Sequence, residues 1–443
     1  MSNERQLVDA ALEMVGDRAD AEVYADVGES SLTRFANSFI HQNVSEDASQ
    51  VSVRVARDGR IASATGTVVT TDALERLVDS TIELAADQPV DDNWPGLGGV
   101  VDPPTVEHFD EATATADPVA RAEKVKQFVD AGGGLSAAGY CQTEGRAHAY
   151  GNTEGRTVSG RYTTAILDGI HQTGQSAGSG HAAGVSLDAI DAHAVGSLAA
   201  TRATDSMNPF DAKPGEYEVV LSPECVATIA VFLDAYGFNA KVHEEGMSFV
   251  ELGESQFDDQ VNIWDDATDP RALFAPFDVE GTPKRKVDLV SSGVTRSLVH
   301  NRRTAAKAGV ASTGHAAQGA EAFGPFAWNM FVGGGDTAAD DLIASVDRGI
   351  YVSTFNYCRV LDPKSLVVTG LTRNGTFMIE NGRITDAVSN LRFTQSFVDA
   401  LGAGNVLDIG NDDRFADSEF GPTFIHAPSM RLGSWKFTGG VDG

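Results

Sequence analysis

Two short motifs in the sequence resemble catalytic motifs, and neither of them is complete. His243-Glu244 begins the pattern His-Glu-x-x-His, which binds zinc when two histidines one helical turn apart face the same ion. Met247 occupies the position of the second histidine, so a ligand is missing. Gly174 to Gly178 matches Gly-x-Ser-x-Gly, but a flexible polar stretch follows where a nucleophile elbow requires an apolar helix. We therefore expect neither a zinc site of this type at His243 nor a nucleophile at Ser176.

A longer stretch, from Lys213 to Gly237, predicts a strand, a sharp turn and a helix. A β-rich run covers Tyr217 to Leu221 after a Pro-Gly break. Ser222 is a suitable N-cap, and Pro223 suits the first helical position because an N–H there would lack a partner. The apolar residues that recur with helical spacing are Val226, Ile229, Ala230 and Leu233. The segment is therefore expected to form a core strand and a core helix.

Composition describes a large and strongly acidic protein. The chain has 443 residues, of which 42% are hydrophobic, so it is long enough for about two to three domains with sizeable cores. Its 63 acidic and 33 basic residues give a net charge of −30, which disfavours nucleic acids and anionic membranes as partners because like charges repel. Arginine also outnumbers lysine, and with the acidity this balance is typical of salt-adapted proteins of halophilic archaea.

Cysteine usage and hydropathy indicate a protein of a reducing, aqueous compartment. Cys141, Cys225 and Cys358 lie far apart and form no paired motif, so we predict no disulfide framework. The N-terminal residues lack the apolar core of a signal peptide, and no run of about 20 apolar residues could span a membrane. We therefore expect a soluble, cytoplasmic protein.

Several strings resemble signatures of a known family. Arg34 to Ser38 (RFANS), followed by Ile40 to Gln42, is similar to an N-terminal signature, Phe277 to Pro283 (FDVEGTP) to a central one, and Thr372 to Ile384 to a C-terminal one. With the strand, Pro-containing turn and helix described above, these strings resemble the TldD/PmbA family, which is tied to zinc-dependent proteolysis. The resemblance covers the chain from about Arg34 to the C-terminus. It implies an α+β fold with an N-terminal α+β domain and a β-rich C-terminal domain.

The domain boundary and several turns follow from the same pattern. We place the domains at residues 1–208 and 209–443, because the stretch from Thr204 to Lys213 precedes a Pro-Gly break. The second domain would contain the helix at residues 223–236. Hairpin turns are predicted at the dipeptides that favour positive φ, which are Asp58-Gly59, Asn374-Gly375 and Asn381-Gly382.

The resemblance also implies where a zinc site would stand, and the chain lacks it. In the TldD type the helix carries His-Glu-x-x-x-His, and a cysteine near the C-terminus adds a third ligand. Aligning VVLSPE with this pattern puts Val231 and Tyr236 at the histidine positions and Phe232 at the glutamate position. Valine and phenylalanine offer a metal no lone pair, and Phe232 cannot accept a proton from a bound water. The C-terminal segment holds no cysteine, and its nearest soft ligand is His426.

These absences lead to a functional prediction with two alternatives. The resemblance implies a PmbA/TldE-like, non-catalytic subunit without zinc of its own, in a dimer with a TldD-like paralogue that binds zinc and cuts small or unfolded peptides. One alternative is a metallopeptidase in its own right, with an unorthodox site that draws on His243, Glu244, His315 or His426. The other is a non-enzymatic peptide-binding protein that forms a homodimer. The missing ligands favour the subunit and the peptide-binding protein.

Overall fold

The computed structural model describes residues 3–67, 70–99, 102–103, 105–319 and 322–440, which form a mixed α and β fold, as predicted. The helices are α1 (Asn3–Val15), α2 (Thr71–Ala86), α3 (Glu111–Ala114), α4 (Pro118–Ala131), α5 (Ala192–Asp205), α6 (Pro223–Leu233), α7 (Ala240–Glu244), α8 (Arg302–Ala308), α9 (Ala339–Ala344) and α10 (Phe397–Ala400). The strands are β1 (Asp20–Ala36), β2 (Phe39–Asp47), β3 (Gln50–Arg57), β4 (Arg60–Gly66), β5 (Ser136–Asn152), β6 (Thr157–Gln172), β7 (Ala177–Gly184), β8 (Gly215–Leu221), β9 (Ile263–Asp265), β10 (Val287–Ser291), β11 (Val294–Thr295), β12 (Met330–Val332), β13 (Arg348–Asp362), β14 (Val367–Glu380), β15 (Arg383–Ala387), β16 (Leu391–Ser396), β17 (Val406–Ile409), β18 (Arg414–Ser418), β19 (Gly421–Ala427) and β20 (Met430–Gly440).

The first half of the chain forms one antiparallel sheet in the order β4-β3-β1-β5-β6-β7. Strand β1 has 17 residues, so it pairs with β3 through its first part and with β2 through its last part. The RFANS string ends β1 and enters the turn to β2, where Asn37 and Ser38 have positive φ. Helices α1 and α2 pack on β1 and β3, whereas α4 and α5 pack on β5 and β6.

The second half of the chain forms two sheets that both contact α6. One has the order β13-β8-β20-β16-β14-β15, with β17 paired to β20, and the other has the order β11-β10-β9-β12-β19-β18. Every residue of α6 except Val231 is buried, and the largest hydrophobic cluster combines α6 with strands of both sheets. A helix that is apolar on all sides requires such a surrounding core. The predicted core strand and core helix are therefore confirmed in β8 and α6.

The start and the end of α6 differ from the prediction. The α-helix ends at Leu233 rather than at residue 236, because Asp234–Phe238 form a wider turn of π-helical geometry. Pro223 occupies the first turn as predicted. Ser222 stands at the N-cap position, but its hydroxyl donates to the Ser353 carbonyl on β13 and does not cap the helix.

One of the three predicted hairpin turns is wrong. Asn374-Gly375 lies inside β14, where the two residues stand opposite the single residue Ser353 of β13 and form a bulge. Their φ angles of 56° and 131° suit a bulge as well as they suit a turn, so the local signal was ambiguous. The turns at Asp58-Gly59 and Asn381-Gly382 are confirmed, because they close the hairpins β3–β4 and β14–β15.

Two features bear on the compartment and on the domain boundary. All three cysteines are free, in agreement with the predicted lack of a disulfide framework, and the structure buries each of them. Across the described residues, no helix combines the length and the apolar character needed to cross a bilayer. The sheet of the first half ends at Gly184 and the sheets of the second half begin at Gly215, while the boundary after residue 208 stays a prediction.

Candidate functional site

Aromatic packing occupies the positions where the resemblance would place a zinc site. Phe232 is 1% exposed, and its ring stacks on Tyr236 with centroids 6.0 Å apart and planes 10° apart. The ring of Phe397 meets Phe232 edge-on at 5.7 Å, and the ring of Phe420 lies 5.1 Å away. Val231 is partly buried against the same core. The structure therefore brings Phe232 and Tyr236 together as a hydrophobic stack.

The donor atoms at these positions do not fit a zinc ion. Val231 and Phe232 carry no nitrogen, oxygen or sulfur, so Tyr236 offers the one side-chain donor among the three aligned residues. The neighbouring carboxyl group of Asp234 is buried, and its Oδ2 accepts a hydrogen bond from the Ala327 backbone N–H at 3.1 Å. Burial raises the pKa of Asp234 well above its usual value, which disfavours the anionic form that a metal requires.

The other histidines considered in the sequence have separate partners. His315 is buried, with Nε2 2.8 Å from the Asp265 carboxylate and Nδ1 2.8 Å from the Thr313 hydroxyl. His426 Nδ1 lies 3.0 Å from Asp413 Oδ2. Glu244, next to His243 on α7, pairs with Lys307 at 2.6 Å. Within the described residues, the one set of three side chains close enough to hold a metal ion contains none of the four candidates.

Ser176 is engaged in loop structure. Its hydroxyl donates to the Ala203 carbonyl at 2.6 Å and lies 2.6 Å from the Thr173 hydroxyl. Strand β7 follows it, where a nucleophile elbow would require a helix. The prediction that Ser176 is not a nucleophile agrees with these contacts.

A groove with ionisable and aromatic walls lies where the FDVEGTP segment meets the first sheet. Two adjoining cavities, of about 420 and 280 Å³, share Tyr24 and Gln318 in their walls. Asp278 is anchored by the segment itself, because its Oδ1 accepts from the Glu280 and Thr282 N–H groups and its Oδ2 accepts from Ala316 N–H at 2.9 Å. The remaining polar and aromatic residues of the smaller cavity include Asp26, His148, Tyr162, Phe274, Lys284 and Trp328.

Burial controls the charges in this groove. It raises the pKa of Asp278 to about 7, with help from the nearby Glu280 carboxylate. Burial lowers the pKa of Lys284, although the carboxylates of Asp265 and Asp278 oppose that shift. It also lowers the pKa of His148 to about 3, so this imidazole is neutral at ordinary pH, with Nδ1 3.0 Å from the Tyr24 hydroxyl. The groove thus combines the carboxyl groups of Asp26 and Asp278, the amino group of Lys284 and a neutral imidazole beside aromatic rings.

A second polar cluster lies between the two halves of the chain. Asp168 on β6, His181 on β7 and Asp417 on β18 each place one possible ligand atom within 4.8 Å of the others. Burial raises the pKa of Asp417 to about 6. Nearby, Glu224 at the start of α6 binds Arg414 at 2.5 Å and lies 3.8 Å from Arg202. A metal ion is one species that this cluster could hold.

The sequence predicted neither of these polar sites, although one of them contains part of a recognised signature. The groove contains Asp278 of the FDVEGTP string, which the sequence indicated only as a family signature. Asp168, His181 and Asp417 carried no signal, because they are separated by 13 and 236 positions and belong to three strands. A cross-strand register for β6 and β7 would have paired the first two residues, but that register is known only from the folded sheet.

Two family models match most of the regions described above. A model described as PmbA/TldA metallopeptidase C-terminal domain matches residues 214–439, and one described as PmbA/TldA metallopeptidase domain 1 matches residues 21–85. The first match alone covers half of the chain and includes β8, α6 and both sheets of the second half. The second match covers β1 to β4 and almost all of α2.

Individual relatives agree with these matches at low identity. A metalloprotease TldD homolog of Buchnera aphidicola is 25% identical over 253 residues, which are 53% of this chain and 51% of that protein. A metalloprotease of Methanocaldococcus jannaschii is 22% identical over 421 residues, or 87% and 88% of the two chains. The solved structure of TldE from Thermococcus kodakarensis superposes with a TM-score of 0.87 over 98% of this chain and 99% of that chain, at 16% identity. The chain thus spans about half the length of the first of these relatives, and its fold extends over the whole of the third.

Proposed function

Since the chain belongs to the PmbA/TldD family of metallopeptidases, we propose that it is the non-catalytic subunit of a TldD/TldE-type complex in which a TldD-like paralogue holds the zinc. The observation that carries this proposal is the side chain of Phe232. The resemblance aligns Phe232 with the catalytic glutamate, and the structure packs its ring against Tyr236, Phe397 and Phe420. A catalytic zinc takes three protein ligands and an activated water, and neither valine nor phenylalanine can supply a ligand or a general base.

The helix itself is well formed, which supports a role in the assembly. A helix that had lost its role would be free to accumulate cavities around it. Instead, α6 is buried from Pro223 to Leu233 apart from Val231. Cavities in a core cost free energy, so this packing is consistent with selection for a stable subunit. The surface that remains exposed near the degenerate positions includes Phe420, which is 57% exposed and available to a partner.

The groove beside FDVEGTP supports a role in holding peptide. An extended peptide offers backbone N–H and C=O groups, which match the hydroxyl groups of Tyr24 and Tyr162, the carboxyl group of Asp278 and the amide of Gln318. Phe274 and Trp328 add aromatic surface of the kind that small-molecule and peptide sites use for affinity. The peptide-binding homodimer remains the second candidate because this groove lies on the chain itself and needs no paralogue.

The test is to co-express this chain with a paralogue that carries the intact His-Glu-x-x-x-His motif. We expect a one-to-one complex on size-exclusion chromatography with light scattering, and peptidase activity that a chelator removes. The same activity should be absent from this chain alone. A matched control replaces the motif glutamate of the paralogue by glutamine, which should abolish cleavage and leave the complex intact.

Three results would count against the proposal. A chain that stays monomeric in the presence of the paralogue would exclude the complex. Chelator-sensitive cleavage by this chain alone, lost in His243→Ala or His426→Ala, would favour the independent enzyme. A stable homodimer that binds peptides and does not bind the paralogue would favour the second candidate. The net charge of −30 makes nucleic acid and anionic membranes poor partners in any of these cases.

A further inference from the structure

The cluster of Asp168, His181 and Asp417 has the geometry of a small metal site. Asp168 and His181 stand directly opposite each other on β6 and β7, so their side chains lie on one face of the first sheet. Asp417 reaches the same point from β18, in the second half of the chain. One possible ligand atom of each residue lies within 4.8 Å of the other two, which is the spacing of donors around a single ion.

The cluster also leaves buried polar atoms without partners. The His181 side chain is 3% exposed, its Nδ1 lies 3.2 Å from Asp168 Oδ2, and its Nε2 has no hydrogen-bond partner. Asp417 Oδ1 is buried and likewise has none. A buried polar atom without a partner costs free energy, so two such atoms in one cluster point to a missing ligand.

Among the described residues, no lysine or arginine side chain pairs with the two carboxylates of the cluster. In the part of the chain that the structure describes, no lysine or arginine lies within 4.0 Å of the Asp168 or Asp417 carboxylates. Arg414 and Arg202 are close by, but they face Glu224 at 2.5 and 3.8 Å. The aspartates therefore meet a single histidine, which has a free ring nitrogen.

We propose that Asp168, His181 and Asp417 bind a divalent transition-metal ion, best matched by Zn²⁺, with water in the remaining position. Zinc accepts one imidazole nitrogen together with carboxylate oxygens, whereas Mg²⁺ and Ca²⁺ prefer oxygen ligands alone and Cu(I) prefers sulfur. A cavity of about 280 Å³ includes His181 in its wall, so one member of the cluster borders open space.

The proposed ion is independent of the family's catalytic zinc and has a structural role. Its ligands come from β6, β7 and β18, and none of them lies on α6, where the aligned motif positions are. Because two ligands belong to the first sheet and one to the second half, the ion joins the two halves of the chain. A ligand that binds the folded state and not the unfolded state raises the melting temperature.

The experiment uses the full chain after dialysis against a chelator. Zinc chloride is then added in increments, and bound zinc is measured by mass spectrometry after gel filtration while thermal unfolding is recorded. We expect about one equivalent of bound zinc and a rise in Tm of at least about 3 °C. His181→Asn and Asp417→Asn should each weaken zinc binding by at least about 100-fold and remove the rise in Tm. His243→Asn is the matched control, since that histidine lies outside the cluster and should leave both readouts unchanged.

Three outcomes would overturn the proposal. The wild-type chain could bind no zinc and show no change in Tm. Zinc could also bind equally well to both cluster variants, or the His243→Asn control could lose zinc binding. If the variants do not fold, Co²⁺ added to the wild-type chain decides the question. A visible absorption band at one equivalent of Co²⁺, displaced by Zn²⁺, is expected, and the absence of a band would refute the site.

Discussion

The guanidinium group of Arg302, on α8, binds the carboxylate of Glu22, on β1, across 280 positions of sequence. Arg302 Nη2 lies 2.5 and 2.7 Å from the two carboxylate oxygens of Glu22. Both side chains are nearly buried, and Glu22 also accepts from the Tyr150 hydroxyl at 2.8 Å and the Gly98 N–H at 3.0 Å. Glu280 of the FDVEGTP segment accepts from the Arg302 backbone N–H at 3.0 Å. This buried network links the first sheet to the signature segment beside the groove.

Removing Arg302 should therefore destabilise the protein strongly. In Arg302→Ala the carboxylates of Glu22 and Glu280 stay buried and lose one of their shared cations, while Arg54 still lies 3.3 and 3.2 Å from them. A broken buried pair costs about 3–5 kcal/mol of unfolding free energy, and we expect a loss toward the lower end of that range because Arg54 remains. Arg303→Ala is the matched control on the next residue. Its partner Asp91 lies 2.5 Å away at a more exposed position, so the expected loss is about 0–1 kcal/mol. Denaturant unfolding measures the loss of unfolding free energy in both variants. Equal losses would mean that the buried network does not stabilise the contact between the first sheet and the FDVEGTP segment.

The aromatic stack at the degenerate motif should behave as hydrophobic core. Phe232→Ala should cost about 3–5 kcal/mol of unfolding free energy, because it leaves a cavity against Tyr236 and Phe397. Phe420→Ala, at the exposed end of the same stack, should cost less than about 1 kcal/mol. Thermal and chemical unfolding compare the two variants. A Phe232→Ala protein of wild-type stability would show that the helix is not held by this packing.

Acid should destabilise the protein in part through His148. Burial holds the pKa of this histidine at about 3, below its ordinary value of 6.5, so the unfolded chain binds a proton that the folded chain does not. The stability that His148 contributes is present above pH 6.5 and is lost as the pH falls toward 3, by about 1.4 kcal/mol per pH unit.

The variant His148→Gln tests that slope. It removes the titrating group, so between pH 6 and pH 4 its unfolding free energy should decline by about 1.4 kcal/mol per unit less than that of the wild type. His193→Gln, on the exposed surface of α5, is the control and should follow the wild type. Because the test compares slopes of unfolding free energy against pH, a loss of packing that is the same at every pH does not affect it. Parallel slopes for His148→Gln and the wild type would contradict the burial of a neutral imidazole.

The acidic composition predicts a dependence on salt. The net charge of −30 means that acidic side chains repel one another in the compact state. Salt shortens the range of this repulsion, because the Debye length falls from about 10 Å at 0.1 M to about 3 Å at 1 M. The unfolding midpoint should rise steeply from low to molar KCl. An equal osmolality of sucrose is the control for effects that do not involve charge. A flat response to KCl would argue against the halophilic interpretation of the sequence.

Much of the fold was available from local sequence patterns. Hydrophobic periodicity located α6, and dipeptides with positive φ located the β3–β4 and β14–β15 turns, because these features depend on residues close in sequence. The same local logic failed at Asn374-Gly375, where the backbone angles of a bulge and of a turn are alike. It also misjudged the end of α6, since the wide turn at Asp234–Phe238 is stabilised by contacts such as that of Asp234 with Ala327.

The sequence by itself determined that the side chains of Val231 and Phe232, which the resemblance aligns with motif positions, offer a metal no ligand, because they carry no nitrogen, oxygen or sulfur atom. The tertiary structure alone decided that Phe232 is packed among other rings, that Arg302 pairs with Glu22, and that Asp168, His181 and Asp417 converge. Those relationships depend on strand register and on the contact between the two halves of the chain, neither of which leaves a local pattern. A pattern of residue types shows which chemistry each side chain can perform, whereas the fold determines which side chains meet.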